Sequence, residues 1–199
     1  MHRALTTNQN DLKRPGRTEP LGITYQPDLL SEKAELRILS SIERLPYRMW
    51  ESIRMRGQLV KRRTISFGWR YQIYKRTLTP APEMLPFVRE LRDNSARSAS
   101  IDASSLDQAV IIRYPVGAGI GPHIDAACFG PVVLDVSLVS ACEITFTLPR
   151  VGQHRKVLEP RSLLVLRGDA RYRWKHELPE VRRERISILF RSRVGEIVG

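Results

Sequence analysis

The sequence predicts an α+β fold that is mainly β. Its strands are expected in an antiparallel double-sheet architecture, a jelly roll or sandwich, supported by N-terminal helices. Three observations point there. After residue 108 come five short segments, AVIIRYPV, VVLDVSLV, EITFTL, RSLLVLRG and RISILFR, rich in β-branched and apolar residues and separated by Gly, Pro and charged turns. A helix with spaced apolar residues precedes them, so helical and strand text are segregated along the chain. The 199 residues suit one domain with a small extension, and no internal repeat is evident.

Residues 1–22 are polar and lack an apolar period, which predicts a flexible tail, with a single domain over 23–199. A helix is predicted from Ser31 to Leu45. Ser31 can cap it, Leu36, Leu39, Ile42 and Leu45 form an apolar stripe, and Pro46 stops it. LVKRRTISFGWRYQIYK, within a region of about 59–80, reads as two short strands kinked at Gly68. PAPEMLPFVRELRD predicts a short helix started by proline, with Phe87 and Leu91 inward. Residues 94–106 are Ser/Ala-rich and predict a connector. The β core is expected over about 107–193.

Thirty-three Lys and Arg against 21 Asp and Glu leave a net charge of +12. That excess favours a polyanionic partner, nucleic acid first. Arginine predominates, which suits bidentate phosphate contacts, although an arginine-biased genome would give the same excess. No run approaches the roughly 18 apolar residues that cross a bilayer, and the N-terminus lacks the apolar stretch of a signal peptide. The expectation is a cytoplasmic protein without a membrane partner, monomeric by default. Cys128 and Cys142 lie outside any C-x-x-C pattern, so they read as small buried or half-buried residues.

The stretch GPHIDAACFG places His123 and Asp125 two residues apart, so an extended chain puts both side chains on one face. His176 follows in GDARYRWKHEL, far enough along to return from an opposing sheet. Two imidazoles and one carboxylate leave positions open on a metal, the arrangement favoured by non-haem Fe(II) oxygenases. Two surface histidines and a turn aspartate remain the alternative. In RISILFR, Arg185 and Arg191 share one side of a strand. Two guanidiniums facing an apolar interior are costly unless an anion meets them, and a small dicarboxylate would serve. An outward-facing basic strand would carry the same residues.

Taken together, His123-x-Asp125, His176 and Arg185-x5-Arg191 resemble the AlkB family of 2-oxoglutarate- and iron(II)-dependent dioxygenases. The resemblance runs from about Pro27 to Arg193. It is strongest in RYPVGAGIGPHIDAACFG and PRSLLVLRGDARYRWKHEL, the latter being closer to the tRNA-modifying and protein-demethylating branch than to the founding DNA-repair enzyme. It implies a double-stranded β-helix with Fe(2+) held by His123, Asp125 and His176. It further implies 2-oxoglutarate as co-substrate, anchored by Arg185 with Tyr114 beside it, and Arg191 nearer the metal. O2 would take the remaining position. Ile112 stands where the family has an asparagine, which removes one expected hydrogen bond to the co-substrate.

The segment KRRTISFGWRYQIYK matches the family's flexible substrate lid. Arg63, Trp69 and Tyr71 are candidate substrate residues there, since basic groups can meet phosphates while an aromatic face stacks on a base. A hairpin with one aromatic face in the core is the plainer reading. Arg150 lies near a substrate-contacting basic position of the family. Ala127 replaces the acidic residue with which the founding enzyme touches its base. The implied activity is oxidative demethylation or hydroxylation of alkylated nucleic acid, RNA or DNA, releasing succinate, CO2 and formaldehyde. The same chemistry on a methylated protein side chain, and a non-catalytic basic nucleic-acid-binding protein, are the alternatives.

Overall fold

The computed structural model describes residues 19–194 apart from residue 56. β1 (Ile23–Gln26) leads into α1 (Glu32–Glu43), and β2 (Glu51–Met55) and β3 (Gln58–Phe67) follow as a hairpin. β4 (Trp69–Gln72) and β5 (Thr77–Pro80) form a second hairpin before α2 (Pro86–Ser98). Next come β6 (Gln108–Tyr114), β7 (Ile120–His123), β8 (Phe129–Leu138), β9 (Cys142–Leu148), β10 (Gly152–Leu158) and β11 (Leu163–Leu166). The short helix α3 (Gly168–Tyr172), β12 (Lys175–Leu178) and β13 (Arg185–Arg193) complete the described chain.

The strands build a large sheet ordered β1-β11-β8-β13-β6-β3-β2, a small sheet ordered β10-β9-β12-β7, and the separate β4–β5 ribbon. All pairings are antiparallel. Helices α1 and α2 cover one face of the large sheet, packing Ile38, Ile42, Val88 and Leu91 onto Ile65, Phe67, Ile111, Leu134, Ile188 and Phe190. The small sheet covers the other face, where Ile144, Phe146, Leu158 and Leu178 meet Tyr114, Val133, Leu164 and Leu166. This is the expected jelly roll. The interior strand β11 reads LLVL because both of its faces are buried.

Ser31 caps α1 as expected, its Oγ accepting from the Ala34 amide at 3.3 Å. The inward face differs from the expected stripe. Glu35, Ile38 and Ile42 are buried, while Leu36 is 66% exposed. The Glu35 carboxylate belongs to the inward row because it has partners there, the Val139 amide at 2.8 Å and Arg161 Nη1 at 3.3 Å. Counting apolar residues alone therefore shifts the stripe. In α2, Val88 and Leu91 face in and Phe87 is only half-buried.

That helix continues through Ser98 and absorbs part of the expected connector. Buried Ser95 is accommodated because its Oγ donates to the Leu91 carbonyl at 2.8 Å. β3 is one ten-residue strand. It ends at Gly68, whose φ is 69° and where a Cβ would lie 1.9 Å from the Asp107 carbonyl oxygen, so the chain turns away only with glycine there. Of the expected tail, residues 1–18 lie outside the described residues, as do 195–199 of the expected domain. The carbonyls of Leu21 and Gly22 already accept from the Ala170 and Arg167 amides at 2.9 Å, so the fold begins before residue 23.

Candidate active site

β7 and β12 are neighbours in the small sheet, and their register sets His123 opposite His176. The two rings lie 4.3 Å apart, centroid to centroid. His123 Nδ1–H donates to the Gly121 carbonyl at 2.9 Å, which leaves Nε2 as the free lone pair. Asp125 Oδ1 accepts from Arg191 Nη1 at 2.7 Å, while Oδ2 stands 3.8 Å from His176 Nε2. Asp125 Oδ2 and His176 Nδ1 are buried without a hydrogen-bond partner.

A buried, open carboxylate oxygen beside an imidazole nitrogen is costly, and a cation would relieve it. Among the described residues no three such side chains already stand at metal-ligand spacing. In kind, the donors fit a divalent ion with open positions. Burial alone would raise the Asp125 carboxyl, but Arg191, His176 and His123 hold it below the usual carboxylate range. Burial, assisted by His123, lowers His176 to about 4, so its ring is neutral at neutral pH.

β13 turns Arg185 and Arg191 toward the small sheet, while Ile186, Ile188 and Phe190 face the helices. Arg191 Nε donates to Gln108 Oε1 at 2.9 Å, and the guanidinium lies 3.8 Å from the Phe129 ring centroid. Arg185 stands in register with Tyr114, its guanidinium 5.5 Å from that ring. Its Nη2 donates to Ser137 Oγ at 2.8 Å and approaches Asp135 Oδ2 at 3.5 Å, while its Nε is buried without a partner. Ser187 Oγ donates to Asp135 as well. Burial alone would lower Arg185, but Asp135, Cys142 and Tyr114 together more than offset this and keep it charged. Burial pushes the Tyr114 hydroxyl up to about 12, so it stays a neutral donor.

The family model of the 2OG-Fe(II) oxygenase superfamily matches residues 22–193. The chain belongs to this superfamily. By sequence the chain is similar to AlkB homologues of this superfamily of 2-oxoglutarate-dependent oxidoreductases. It is 26% identical over 184 residues to the "Alkylated DNA repair protein ALKBH8 homolog" of Arabidopsis thaliana, covering 79% of this chain and 51% of that protein. It is 27% identical over 186 residues to the "tRNA (carboxymethyluridine(34)-5-O)-methyltransferase alkbh8" of Xenopus tropicalis, covering 90% of this chain and 28% of that one. The chain thus spans about half the length of these relatives or less.

Among solved structures, OsALKBH1 superposes with a TM-score of 0.67 at 15% identity, over 87% of this chain and 97% of that chain. A prolyl-4-hydroxylase of Pseudomonas putida superposes with a TM-score of 0.61 at 13% identity, over 87% and 93%. Both show the shared fold.

The oxygenase places its other expected site residues unevenly. Tyr71 on β4 comes beside the site, its ring 5.8 Å from Phe129, which itself lies under Arg191. Trp69 sits beneath the Arg193 guanidinium at 4.3 Å. Arg150 is exposed in the β9–β10 turn, at a φ of 67°. Arg63 does not join the site. It lies on the helix-covered side of β3 with Ile65, its guanidinium 4.7 Å from the Tyr47 ring centroid, because side chains alternate along a strand. The neighbouring Arg62 faces the small sheet instead, donating to the Gly119 carbonyl at 2.9 Å.

Two groups escaped the sequence reading. Asp135 and Ser137 interrupt an apolar strand two residues apart, a pattern that marks one polar face. Arg171 on α3 gave no such sign. It is fully buried and donates to the carbonyls of Asp125 (3.0 Å), Ala126 (2.9 Å), Phe129 (3.0 Å) and Gly130 (3.2 Å), clamping the loop that follows the Asp125 side chain.

Proposed function

We propose that this oxygenase binds iron(II) through His123, Asp125 and His176 and oxidatively demethylates, or hydroxylates, alkylated nucleic acid. The observation that carries the metal assignment is the pairing of His123 with His176 across two strands, with the open Oδ2 of Asp125 beside them. Iron(II) with 2-oxoglutarate and dioxygen supplies the oxidising power that hydroxylates a C–H bond, releasing succinate and CO2, and an N-methyl group so oxidised leaves as formaldehyde.

The residues of this chain do the positioning. Arg191 occupies Oδ1 of Asp125 and leaves Oδ2 for the metal. Asp125 is then a ligand and not a general base. Arg185, with its Nε unfilled, offers a donor for the remote carboxylate of 2-oxoglutarate, and Tyr114 adds a protonated hydroxyl. The apolar residues between the sheets keep water from the reacting centre. Tyr71 beside the site offers a stacking surface for a base.

The net charge of +12 supports a nucleic-acid substrate, as do the relatives named for alkylated DNA repair and for tRNA modification. The test is anaerobic titration of the metal-free protein with Fe(II) and 2-oxoglutarate, then formaldehyde release from methylated RNA, DNA and peptide panels. Release from RNA or DNA is expected. Release from peptides alone would move the substrate to protein, and no metal uptake would end the ligand assignment.

A further inference from the structure

The pocket end around Tyr114 holds more charge than one anchoring arginine. The β3–β6 register pairs Arg63 with Arg113, which sets Arg62 opposite Tyr114, and β13 sets Arg185 opposite the same tyrosine. Arg62, Tyr114 and Arg185 therefore form a row across three strands on the face toward the small sheet. Neighbouring strands lie about 4.8 Å apart, so two arginine side chains on either side of one tyrosine can reach a common ligand. Arg62 is only 7% exposed. Among the described residues it has no carboxylate partner, and its one side-chain hydrogen bond goes to the Gly119 carbonyl.

The charges do not balance without a ligand. Arg185 is already paired with Asp135, whose carboxylate is held in turn by Ser187. Arg191 and Asp125 likewise cancel. A pocket that relied on Arg185 alone would present a neutral ion pair to an incoming carboxylate, and would bring two carboxylates together in a poorly solvated site. Arg62 restores one positive charge. We propose that Arg62 is a second anchor for the remote carboxylate of the 2-oxo dicarboxylate, and that Asp135 offsets Arg185 so that the pocket keeps one net positive charge to match it. This rests on the reading of the cleft as a 2-oxoglutarate site. Both cations also act on the Tyr114 hydroxyl, opposing the upward push of burial, as expected if they converge there.

The experiment is calorimetric titration of the Mn(II)-loaded protein with 2-oxoglutarate, and with 2-oxobutyrate, which lacks the remote carboxylate. Arg62→Gln, Asp135→Asn and the double variant are compared with wild type. Arg62→Gln is expected to weaken 2-oxoglutarate binding by about tenfold or more while leaving 2-oxobutyrate unchanged. Asp135→Asn is expected to tighten it, and the double variant to return to within about threefold of wild type. A merely structural tie at Arg62 would give no such recovery. An unchanged Kd in Arg62→Gln, or a loss that Asp135→Asn does not recover, overturns the proposal. If Arg62→Gln fails to fold, Asp135→Asn alone decides, since no tightening there overturns the offset. Wild type that binds neither keto acid overturns the 2-oxoglutarate reading itself.

Discussion

The two faces of the large sheet are built from the same strands and do opposite work. On β13, Ile186, Ile188 and Phe190 enter the helix-covered core, while Arg185, Ser187 and Arg191 turn to the small sheet. On β8, Leu134, Val136 and Leu138 take the first face, and Asp135 and Ser137 the second. Along these two strands the helix face is apolar, and the carboxylate buried there, Glu35, comes from α1. The other face collects the buried charges of the strands, each needing a partner or a ligand. Parity along a strand, rather than position in the chain, separates what stabilises this protein from what lets it act.

Substitutions can break that division cleanly. The largest effect is expected at the metal donors: His123→Ala, Asp125→Ala or His176→Ala should abolish succinate formation while circular dichroism and melting show a folded protein. Turnover retained in any of them would remove that residue from the ligand set. On the opposite face, Phe190→Ala should cost about 3–5 kcal/mol in chemical denaturation. Its activity per folded molecule should change little at low temperature. A wild-type-like denaturation midpoint would mean that face is not the stabilising one.

The pH dependence sharpens the contrast. His176 is depressed from 6.5 to about 4 in the folded metal-free protein. Between those values the unfolded chain binds the proton and the folded chain resists it, so stability rises with pH across this window. It should fall by up to about 3 kcal/mol as pH drops from 6.5 to 4. Asp125, held below the ordinary carboxylate range, adds a further loss only at lower pH. Melting of His176→Gln should lack the first slope. The smallest effect is expected for Leu36→Ser, within about 0.5 kcal/mol of wild type, and a larger loss would restore Leu36 to the core.

Much of this was legible in the sequence, for identifiable reasons. The five core strands are apolar on at least one face, so composition announces them. β7 (IGPH) and β12 (KHEL) have no such pattern and are strands only because the small sheet pairs them. Their two histidines were nonetheless readable from residue type and spacing. Arg62 and Arg63 differ only in parity, and Ile65 and Phe67 already fixed which of them faces the helices. The pairing of Asp135 with Arg185 depends on the meeting of β8 and β13, fifty residues apart in the chain. No local pattern reports that.

β7 is the outer strand of the small sheet and pairs there with β12, at two register positions with an irregularity between them. An ion gripped by one imidazole from each strand would therefore rivet this rim. Amide exchange over residues 120–123 should slow when the protein is loaded and quicken when a chelator strips it. Cofactor content and the tightness of the barrel's lip would then rise and fall as a single variable.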